Sequence, residues 1–489
     1  MVRNFEQINR MFNPQSIAVL GVSAQGFGFG RGILHSIMSV GYEGRLYPVN
    51  PKGGEVFGLE MHPSVEAIPE DIDFAIIAVP APAVPAALEE CRKKGAAGAE
   101  IISSGFSELA NEQGEELDRQ IREIAAKGIR VLGPNCFGIY CPKSGLTMAP
   151  GGDFPRKTGP VALLSQSGGL SIDFVSMARW RGFNFSKVVS FGNGCDLRET
   201  EMLEYLRHDP DTQVICMYVE GVEDGREFFR VLRQTALEKP VIILKGGLSE
   251  SGGRAVASHT ASMGGSDKIW KAALNQCNVV VAETLKDMAD AALAFTFLPR
   301  KAYKGMTIVG GGGALGVHGA DMAELAGLAT PLLREDLREQ IHAILPKPGS
   351  SANNPVDIAN PFTPPRIIKE TVMLASQDEA IDLHLIIQLL YMYKANVGIM
   401  NAKDVTEIIP LQDFISEYRK AHEKAGKPIV LALPNNRQER ESMEVEGIIR
   451  EARYGLTEAG IPIFDQVKDA LQAVAAISRY TERRQAMLG

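Results

Sequence analysis

The sequence contains few cysteines and no long hydrophobic run, and both absences narrow the classes of protein to consider. Only 6 of its 489 residues are cysteine, and none stands in a C-x-x-C pair, so we expect neither a disulfide framework nor a zinc site. Cys136 and Cys141 are the closest pair, but no further ligands stand beside them, and no metal site is predicted. No uninterrupted apolar run reaches the roughly 18 residues of a membrane-spanning helix.

Basic residues do not predominate, since the chain has 51 lysines and arginines against 59 aspartates and glutamates. The formal net charge is −8, and no basic run is interleaved with aromatic residues, which argues against a nucleic acid partner. The first residues, M-V-R-N-F-E-Q-I-N-R, lack the apolar core and cleavage site of a signal peptide. With hydrophobic residues at 45% and charged residues at 22%, the composition is that of an ordinary globular protein. We expect a cytoplasmic protein with reduced thiols and, from its length, about three domains.

Short apolar runs alternate with helical stretches along the chain, which predicts buried parallel strands joined by helices. The predicted fold is α/β, with three consecutive doubly wound domains that are Rossmann-like or flavodoxin-like, over residues 1–145, 146–300 and 301–489. Residues 345–365, rich in proline and asparagine, are predicted to form an ordered loop. The predicted strands are 16–20, 46–49, 74–79, 100–103 and 130–132 in the first domain, 161–164, 187–190, 214–219, 241–244 and 279–282 in the second, and 306–309, 382–390, 428–433 and 463–464 in the third.

The first strand runs into a glycine-rich segment, residues 21–32. Its glycines would let the backbone approach a phosphate at the N-terminus of the next helix, although a simple tight turn has the same pattern. An NAD site requires a central glycine and an acidic residue after the second strand, whereas this chain has Ser23 and the segment V-N-P-K-G-G with Lys52. NAD is therefore disfavoured, and a phosphate-bearing ribose, as in NADP or coenzyme A, is favoured.

Two segments of the second domain carry candidate chemistry. In S-Q-S-G-G-L-S, Ser167, Gly168 and Gly169 open a helix whose amide groups could hold a phosphoryl group, and a plain N-cap serine is the alternative. Residues 251–267, S-G-G-R-A-V-A-S-H-T-A-S-M-G-G-S-D, are predicted to form a mobile small-residue loop that presents one imidazole, His259. Such a loop can carry a group between two sites, but an ordinary surface loop has the same composition.

Five motifs of the first domain, taken in order, resemble one family. The segments G-V-S, V-N-P-K, A-V-P-A-P, I-S-S-G-F-S-E and G-P-N-C-F-G are similar to the CoA-binding domain of succinyl-CoA synthetase α subunits. They are closer still to the NDP-forming acyl-CoA synthetases, the ADP-forming acetate–CoA ligases. The resemblance implies that the matching positions line a coenzyme A site. Those positions are Gly21, Ser23, Val49, Pro51, Lys52, Val79, Pro80, Ser103, Ser104, Pro134 and Asn135.

The second domain continues the resemblance. The segment S-H-T, residues 258–260, followed by Gly264, is similar to the family's phosphohistidine loop, which implies that His259 accepts a phosphoryl group. The segment Y-V-E-G-V puts Glu220 where the family has the carboxylate that holds the histidine, and the helix start at Ser167, Gly168 and Gly169 matches its phosphate-binding N-terminus. The residue types suit the chemistry, because a carboxylate on one ring nitrogen fixes the tautomer and leaves the other nitrogen to attack.

The third domain resembles the family's ligase-associated flavodoxin-like domain through T-I-V-G-G-G-G-A-L-G-V-H-G-A-D, residues 307–321, and N-N-P-V-D-I, residues 353–358. Its glycine run lacks the G-K-[ST] ending of a P-loop, so no ATP site is expected there. The family also needs an ATP-grasp module, for which no segment remains. The resemblance therefore implies a separate β subunit that carries the ATP-grasp domain, Mg²⁺ and ADP or ATP, in an α₂β₂ assembly.

The leading hypothesis is the CoA-binding, phosphohistidine-carrying subunit of an NDP-forming acyl-CoA synthetase, an acid–thiol ligase. Its reversible reaction converts acyl-CoA, phosphate and ADP into a carboxylate, CoA and ATP. The alternatives are a catalytically inactive protein that binds CoA or acyl-CoA, an NADP oxidoreductase and an acyltransferase. Ser23 and the absent acidic ribose partner count against the oxidoreductase, and the absence of an extra acyltransferase domain counts against the last. No motif specifies the acyl group.

Overall fold

The computed structural model describes residues 5–147, 154–260 and 267–489, and for residues 257–260 and 267 the backbone alone. The chain divides into two compact units. The first spans Met1–Met177 and Asn184–Met288, and the second spans Ala178–Phe183 and Ala289–Gly489. Within the described residues, no helix is both long and apolar enough to cross a membrane.

The first unit begins with a sheet of five parallel strands in the order β2-β1-β5-β6-β7. All residues of β1, β5, β6 and β7 are buried, as expected for strands covered on both faces. Strands β3 and β4 form a separate antiparallel pair. The elements are α1 (Phe5–Phe12), β1 (Ser16–Leu20), α2 (Phe29–Val40), β2 (Arg45–Val49), β3 (Glu55–Val56), β4 (Leu59–Glu60), β5 (Phe74–Ile77), α3 (Val84–Lys93), β6 (Gly98–Ile101), α4 (Glu112–Ala125) and β7 (Arg130–Leu132).

The second sheet, also in the first unit, has six strands in the order β8-β10-β9-β11-β12-β13. Strand β8 pairs antiparallel with β10, whereas the other pairs are parallel. The elements are β8 (Gly138–Tyr140), β9 (Val161–Ser165), α5 (Gly168–Arg181), β10 (Phe185–Ser190), α6 (Glu199–His208), β11 (Val214–Val219), α7 (Gly225–Glu238), β12 (Val241–Lys245), α8 (Glu250–Thr260), α9 (Asp267–Gln276) and β13 (Val280–Ala282).

The third sheet lies in the second unit and has five parallel strands in the order β15-β14-β16-β17-β18. The first element of this part of the chain is α10, which begins just before the boundary between the units. The elements are α10 (Leu285–Phe297), β14 (Met306–Gly310), α11 (Gly313–Leu325), α12 (Glu335–Ile344), β15 (Val356–Asp357), α13 (Pro365–Ala375), β16 (Leu383–Ile387), α14 (Leu411–Lys424), β17 (Ile429–Ala432), α15 (Met443–Glu458), β18 (Ile463–Phe464) and α16 (Val467–Leu488).

The parallel strands of all three sheets share one order. Counted along the chain and leaving out β3, β4 and β8, each sheet runs 2-1-3-4-5, the order of flavodoxin-like folds. The predicted α/β class with three Rossmann-like or flavodoxin-like sheets is therefore confirmed. Each sheet has a switch point between its first and third strands, where this architecture binds ligands beyond the carboxyl ends. The three predicted domain ranges stay predictions.

The prediction of a loop over residues 251–267 is wrong for its first part, because α8 spans Glu250–Thr260. Ser249 caps this helix by accepting a hydrogen bond from the Gly252 N–H at 3.0 Å, and Arg254 pairs with Glu250 one turn away at 2.8 Å. These local interactions outweigh the poor helix propensity of the glycines. Residues 261–266, which complete the predicted loop, lie outside the described residues. Similarly, the predicted loop 345–365 contains strand β15.

The C-terminal end of α5 belongs to the second unit because Arg181 is buried there. The Arg181 side chain is only 2% exposed, and its Nε donates to Asp290 Oδ1 at 2.9 Å. Its Nη2 lies 3.3 Å from Asp465 Oδ2, and Arg453 Nη2 lies 2.6 Å from Asp465 Oδ1. Because buried charges need partners, this network of two arginines and two aspartates anchors the end of the helix.

In the first unit, Arg130 at the start of β7 joins the first sheet to segments that follow β10. Its side chain is 10% exposed and donates from Nε to Asp196 at 2.9 Å and from Nη2 to Glu201 at 2.7 Å. These two carboxylates raise the pKa of Arg130 above its usual value. Asp196 Oδ2 also accepts a hydrogen bond from the Val131 N–H at 2.8 Å. The two sheets of the first unit are thus held together by fully paired charges.

Glu100 in β6 is a buried carboxyl group at the same junction, and among the described residues no cation pairs with it. Its Oε2 accepts a hydrogen bond from the Ile139 N–H at 2.9 Å, and a Cβ at Gly138 would lie 2.0 Å from the same oxygen. Burial raises the pKa of Glu100 from 4.5 to about 8. The folded protein therefore holds a proton on Glu100 at neutral pH that the unfolded chain releases.

We expect Glu100→Gln to flatten the pH dependence of stability. Because the folded wild type binds one more proton than the unfolded chain between pH 4.5 and about 8, Glu100 lowers the stability progressively as pH rises through that window. Thermal unfolding midpoints of wild type and Glu100→Gln should be measured from about pH 5 to about pH 8.5. The two midpoints should move apart as pH rises, and the variant should be the more stable protein at the alkaline end. Parallel profiles would show that Glu100 is ionised in the folded protein.

Candidate functional site

The first switch point lies beyond the carboxyl ends of β1 and β5, and the chain requires glycine there. Gly21 has φ +84°, and a Cβ at this position would lie 2.4 Å from the Ala78 carbonyl oxygen. A Cβ at Gly30, in the first turn of α2, would lie 2.8 Å from the Gly21 oxygen. The Gly21 N–H donates to the Val49 carbonyl at 3.2 Å. The turn therefore packs directly on its neighbours and leaves the N-terminus of α2 open to an anion.

The residues after this turn offer groups that suit a phosphate-bearing ligand. Among the described residues, the enclosed Ser23 hydroxyl has no hydrogen-bond partner. Arg31 donates to the Ser23 carbonyl at 3.1 Å, and Asn50 donates to the Val22 carbonyl at 2.6 Å, which fixes the loop. Lys52 is exposed, and its N–H donates to Asn50 Oδ1 at 2.9 Å. A hydroxyl group and an ammonium group are thus available at one end of the turn.

Hydrogen bonds tie together the loops that follow four different strands. The Ser103 hydroxyl, after β6, donates to the Val79 carbonyl, after β5. The Ser103 carbonyl accepts from the Asn135 N–H, after β7, at 2.9 Å, and the Pro134 carbonyl accepts from the Asn193 N–H, after β10, at 3.0 Å. These bonds bring the carboxyl edge of the first sheet against that of the second.

A cavity of about 400 Å³ opens at this junction. Its wall contains segments that follow β5, β6 and β7 of the first sheet and β9 and β10 of the second, together with the start of α2. Six predicted site residues line it: Ser103, Ser104, Asn135, Ser167, Gly168 and Gly169. Residues that sequence reasoning did not single out complete the wall, among them Phe29, Ile102, Phe137, Gln166 and Asn193.

Helix α5 starts at this cavity with Gly168. Ser167 Oγ accepts a hydrogen bond from the Leu170 N–H at 3.3 Å, so Ser167 does cap the helix. The cap satisfies one of the first N–H groups of α5, whereas a helix start has four without intrahelical partners. A Cβ at Gly168 would lie 1.9 Å from a ring carbon of Phe137, whereas one at Gly169 would meet no atom of the described residues within 4 Å. The capping serine and a phosphate-binding role are therefore compatible.

Glu220 follows β11, next to β9 at the second switch point. It is 7% exposed, and its Oε1 accepts a hydrogen bond from the Tyr218 hydroxyl at 3.0 Å. Gln166 Oε1 accepts hydrogen bonds from the N–H groups of Glu220 and Gly221, the latter at 3.1 Å. Glu220 Oε2 is buried and has no partner among the described residues. The carboxylate is held on one side and offers its second oxygen to a further donor.

His259 lies near the end of α8, and its side chain lies outside the described structure. The Oε2 oxygen of Glu220 is the kind of acceptor that the predicted contact with its ring requires. Within residues 5–147, 154–260 and 267–489, no group of three or more His, Cys, Asp or Glu side chains could hold a metal ion. Each of the six cysteines is buried as a free thiol.

The remaining predicted CoA-site residues are not among those that line the cavity. Gly21 and Val79 lie beside Ala78, which does line it, and Pro134 is buried behind Asn135. Pro51, Lys52 and Pro80 are exposed. Nothing in the sequence distinguishes Gln166 from an ordinary polar residue between Ser165 and Ser167.

In the second unit, Asn354 holds the segment before β15 against the start of β14. Its side chain accepts from the Ile308 N–H at 3.1 Å and donates to the carbonyls of Met306 at 2.7 Å and Pro331 at 3.0 Å. These bonds fix the segment N-N-P-V-D against β14.

Comparisons with known proteins agree with this geometry. Residues 15–142 match the model of the family described as "CoA binding domain", and residues 158–295 match that of the "Succinyl-CoA ligase like flavodoxin domain". These two matches define a protein of the CoA-dependent ligase class.

Relatives extend the match to nearly the whole chain. The chain is 36% identical over 483 residues to the α subunit of ADP-forming acetate–CoA ligase I from Pyrococcus furiosus, which covers 97% of this chain and 98% of that subunit. It is 34% identical to the ADP-forming acetate–CoA ligase I of Archaeoglobus fulgidus, of which it spans 64%. A solved structure of dinucleotide-forming acetyl-coenzyme A synthetase 1 from Ca. Korarchaeum cryptofilum, in complex with phosphate and ADP, superposes with a TM-score of 0.83 at 29% identity, covering 98% of each chain. The chain belongs to the family of ADP-forming acetate–CoA ligases.

We expect Gly21→Ala to weaken CoA binding and lower the unfolding midpoint. The added Cβ meets the Ala78 oxygen at 2.4 Å, so the cavity wall must shift, and an L residue at positive φ adds roughly 1–2 kcal/mol of strain. Gly327→Ala is the matched control, because Gly327 has the same φ of +84° with nothing within 4 Å. Calorimetric titration with CoA and thermal unfolding should separate the two variants. Equal losses in both would mean that the close approach at Gly21 is unimportant.

Proposed function

We propose that this chain is the CoA-binding, phosphohistidine-carrying subunit of an NDP-forming acyl-CoA synthetase. The reaction converts acyl-CoA, phosphate and ADP into a carboxylate, CoA and ATP. The observation that carries the proposal is the single cavity in which the predicted CoA-site residues Ser103, Ser104 and Asn135 face the predicted phosphate site at Ser167, Gly168 and Gly169. A thioester and a phosphate bound at these two places would lie next to each other.

The glycine turn supports coenzyme A as the ligand. The diphosphate and the ribose phosphate of coenzyme A need close approach of the backbone, hydrogen-bond donors and positive charge. Gly21 provides the approach, the unpartnered Ser23 hydroxyl a donor, and Lys52 the charge. Val49, Pro51, Val79, Pro80 and Pro134 shape the surrounding loops in this proposal.

In the first step a phosphate oxygen attacks the carbonyl carbon of the thioester. The carbon–sulfur bond breaks, the sulfur takes a proton and leaves as the CoA thiol, and an acyl phosphate forms. The N–H groups at the start of α5 stabilise the charge of the phosphate, because unpaired amides and the helix dipole favour anions there.

In the second step a ring nitrogen of His259 attacks the phosphorus of the acyl phosphate. The bond from phosphorus to the acyl oxygen breaks, the carboxylate leaves, and phosphohistidine remains. Glu220 Oε2 accepts a hydrogen bond from the other ring nitrogen, which fixes the tautomer and stabilises the cationic ring. The buried, unpartnered state of that oxygen supports this role.

In the last step the phosphoryl group passes to ADP. We place ADP and Mg²⁺ on a separate β chain with an ATP-grasp domain, in an α₂β₂ assembly. Support comes from the Pyrococcus relative, which is named as an α subunit and has almost the same extent as this chain, whereas the Archaeoglobus enzyme is longer. An inactive CoA-binding protein has less support, because relatives across 97% of the chain are named as ligases.

The proposal predicts a labelled phosphohistidine. The full chain, incubated with ³²P-phosphate and acetyl-CoA or other acyl-CoAs, should yield a phosphoprotein that is labile in acid and stable in base. His259→Ala should abolish the label, whereas His342→Ala, which removes an exposed histidine of α12, should retain it. CoA binding without label from any acyl-CoA would favour the inactive binding protein instead.

The proposed role of Glu220 predicts that Glu220→Gln slows phosphorylation of His259 by about 100-fold, since a neutral amide cannot stabilise the imidazolium. The control is Glu223→Gln, which changes an exposed carboxylate of the same turn and should phosphorylate at the wild-type rate. Rapid-quench measurement of the label gives both rates. If the two variants were equally fast, Glu220 would have no part in the transfer.

A further inference from the structure

Lys245 is a buried cation that the proposed mechanism does not use. It is the last residue of β12, closes the apolar run V-I-I-L, and is 6% exposed. Burial lowers its pKa from 10.5 to about 8, against the opposing effect of Glu220. Burying an ammonium group is costly unless its donors are satisfied, and an apolar residue would serve packing alone. A specific role is therefore to be expected.

The contacts of Lys245 point to the turn that carries Glu220. Its Nζ donates to the Glu220 carbonyl oxygen at 2.8 Å and to the carbonyl oxygen of its own neighbour, Gly246. The ammonium group also lies 4.9 Å from the centre of the Trp270 ring, a distance at which cation and indole attract. The lysine thus joins the turn after β11 to the turn after β12.

The second of these turns leads into α8, the helix that contains His259. Gly246 packs closely on Tyr218, because a Cβ there would lie 2.6 Å from the tyrosine hydroxyl. That hydroxyl donates to Glu220 Oε1. The main chain of Glu220 is held by Gln166 on one side and by Lys245 on the other, and its carboxylate by Tyr218. Every one of these contacts restricts where the free oxygen of Glu220 points.

We propose that Lys245 is a positioning residue for phosphoryl transfer, which aligns the Glu220 carboxylate with the helix that carries His259 by bridging the turns after β11 and β12. The inference rests on the proposed function. It places the action of Lys245 at the second step, in which Glu220 orients the histidine. The first step, attack on the thioester, takes place at the cavity beside α5 and does not require Lys245.

The test separates the two steps with Lys245→Met, which keeps an unbranched side chain, one atom shorter, and removes the donors. Arsenate can replace phosphate in the first step, and the acyl arsenate hydrolyses in water, so release of the CoA thiol from acyl-CoA reports that step without the histidine. Phosphorylation by ³²P-phosphate reports both steps. We expect Lys245→Met to lower the rate of histidine phosphorylation about tenfold or more while arsenate-dependent thiol release stays close to the wild-type rate.

The chain offers a matched control in Lys239. Its Nζ also bridges two main-chain carbonyls, those of Leu206 and Asp209, each at 2.7 Å, and it lies just before β12 rather than at its end. Lys239→Met should leave the ratio of the two rates unchanged. Lys245→Gln, which keeps a donor without the charge, should give an intermediate ratio and serves as the deciding variant if Lys245→Met unfolds at the assay temperature.

The inference is overturned if both Lys245 variants keep the wild-type ratio, or if the two rates fall together with the unfolding midpoint. Absence of label in the wild-type chain would instead reject the proposed function itself, and the inference with it. A selective loss of phosphorylation in Lys245→Met, with Lys239→Met unaffected, supports it.

Discussion

The candidate site depends on the charge cluster of Arg130 with Asp196 and Glu201. Arg130 belongs to the last strand of the first sheet, whereas its two partners follow β10 of the second sheet. Beside it, the main chain of residues 195–197 hydrogen-bonds to Gly133 and Val131. Because one wall of the cavity comes from each sheet, these contacts between the two sheets set the width of the cavity. Loss of one partner would leave a buried charge unpaired, which costs more than the pair itself contributes.

The candidate site also depends on Gln166. This residue lines the cavity, and its side-chain oxygen holds the backbone N–H groups of Glu220 and Gly221. It can do both because β9 and β11 are neighbours at the switch point of their sheet. The side chain of Gln166 therefore lies between the helix start that suits a phosphate and the carboxylate that suits a histidine. The strand order places chemically different groups together that lie more than fifty residues apart in the chain.

The sequence was sufficient for the repeated α/β pattern, because fully buried parallel strands appear as short apolar runs, and for the order of the motif residues. It was insufficient where tertiary contacts decide. Helix α1 owes its stability to Phe5 and Phe12 stacking on Tyr205. Helix α8 is a different case, because its cap and ion pair are local and the glycine- and serine-rich composition of the segment obscured them. Phe137 and Gln166 gain their places in the cavity from the pairing of strands, which no local pattern records. Lys245 looked like the polar end of a strand.

Strand β8 has a consequence for how the protein can be divided. It follows the last strand of the first sheet closely in the chain, yet it is the outermost strand of the second sheet and runs antiparallel to β10. A C-terminal fragment that begins just after β8 would leave the second sheet with β10 as an open edge, and exposed edges of this kind invite pairing between molecules. The two sheets should therefore be expressed together as one fragment. A second sheet without β8 would tend towards aggregation, whereas in the intact first unit β8 covers the edge of β10.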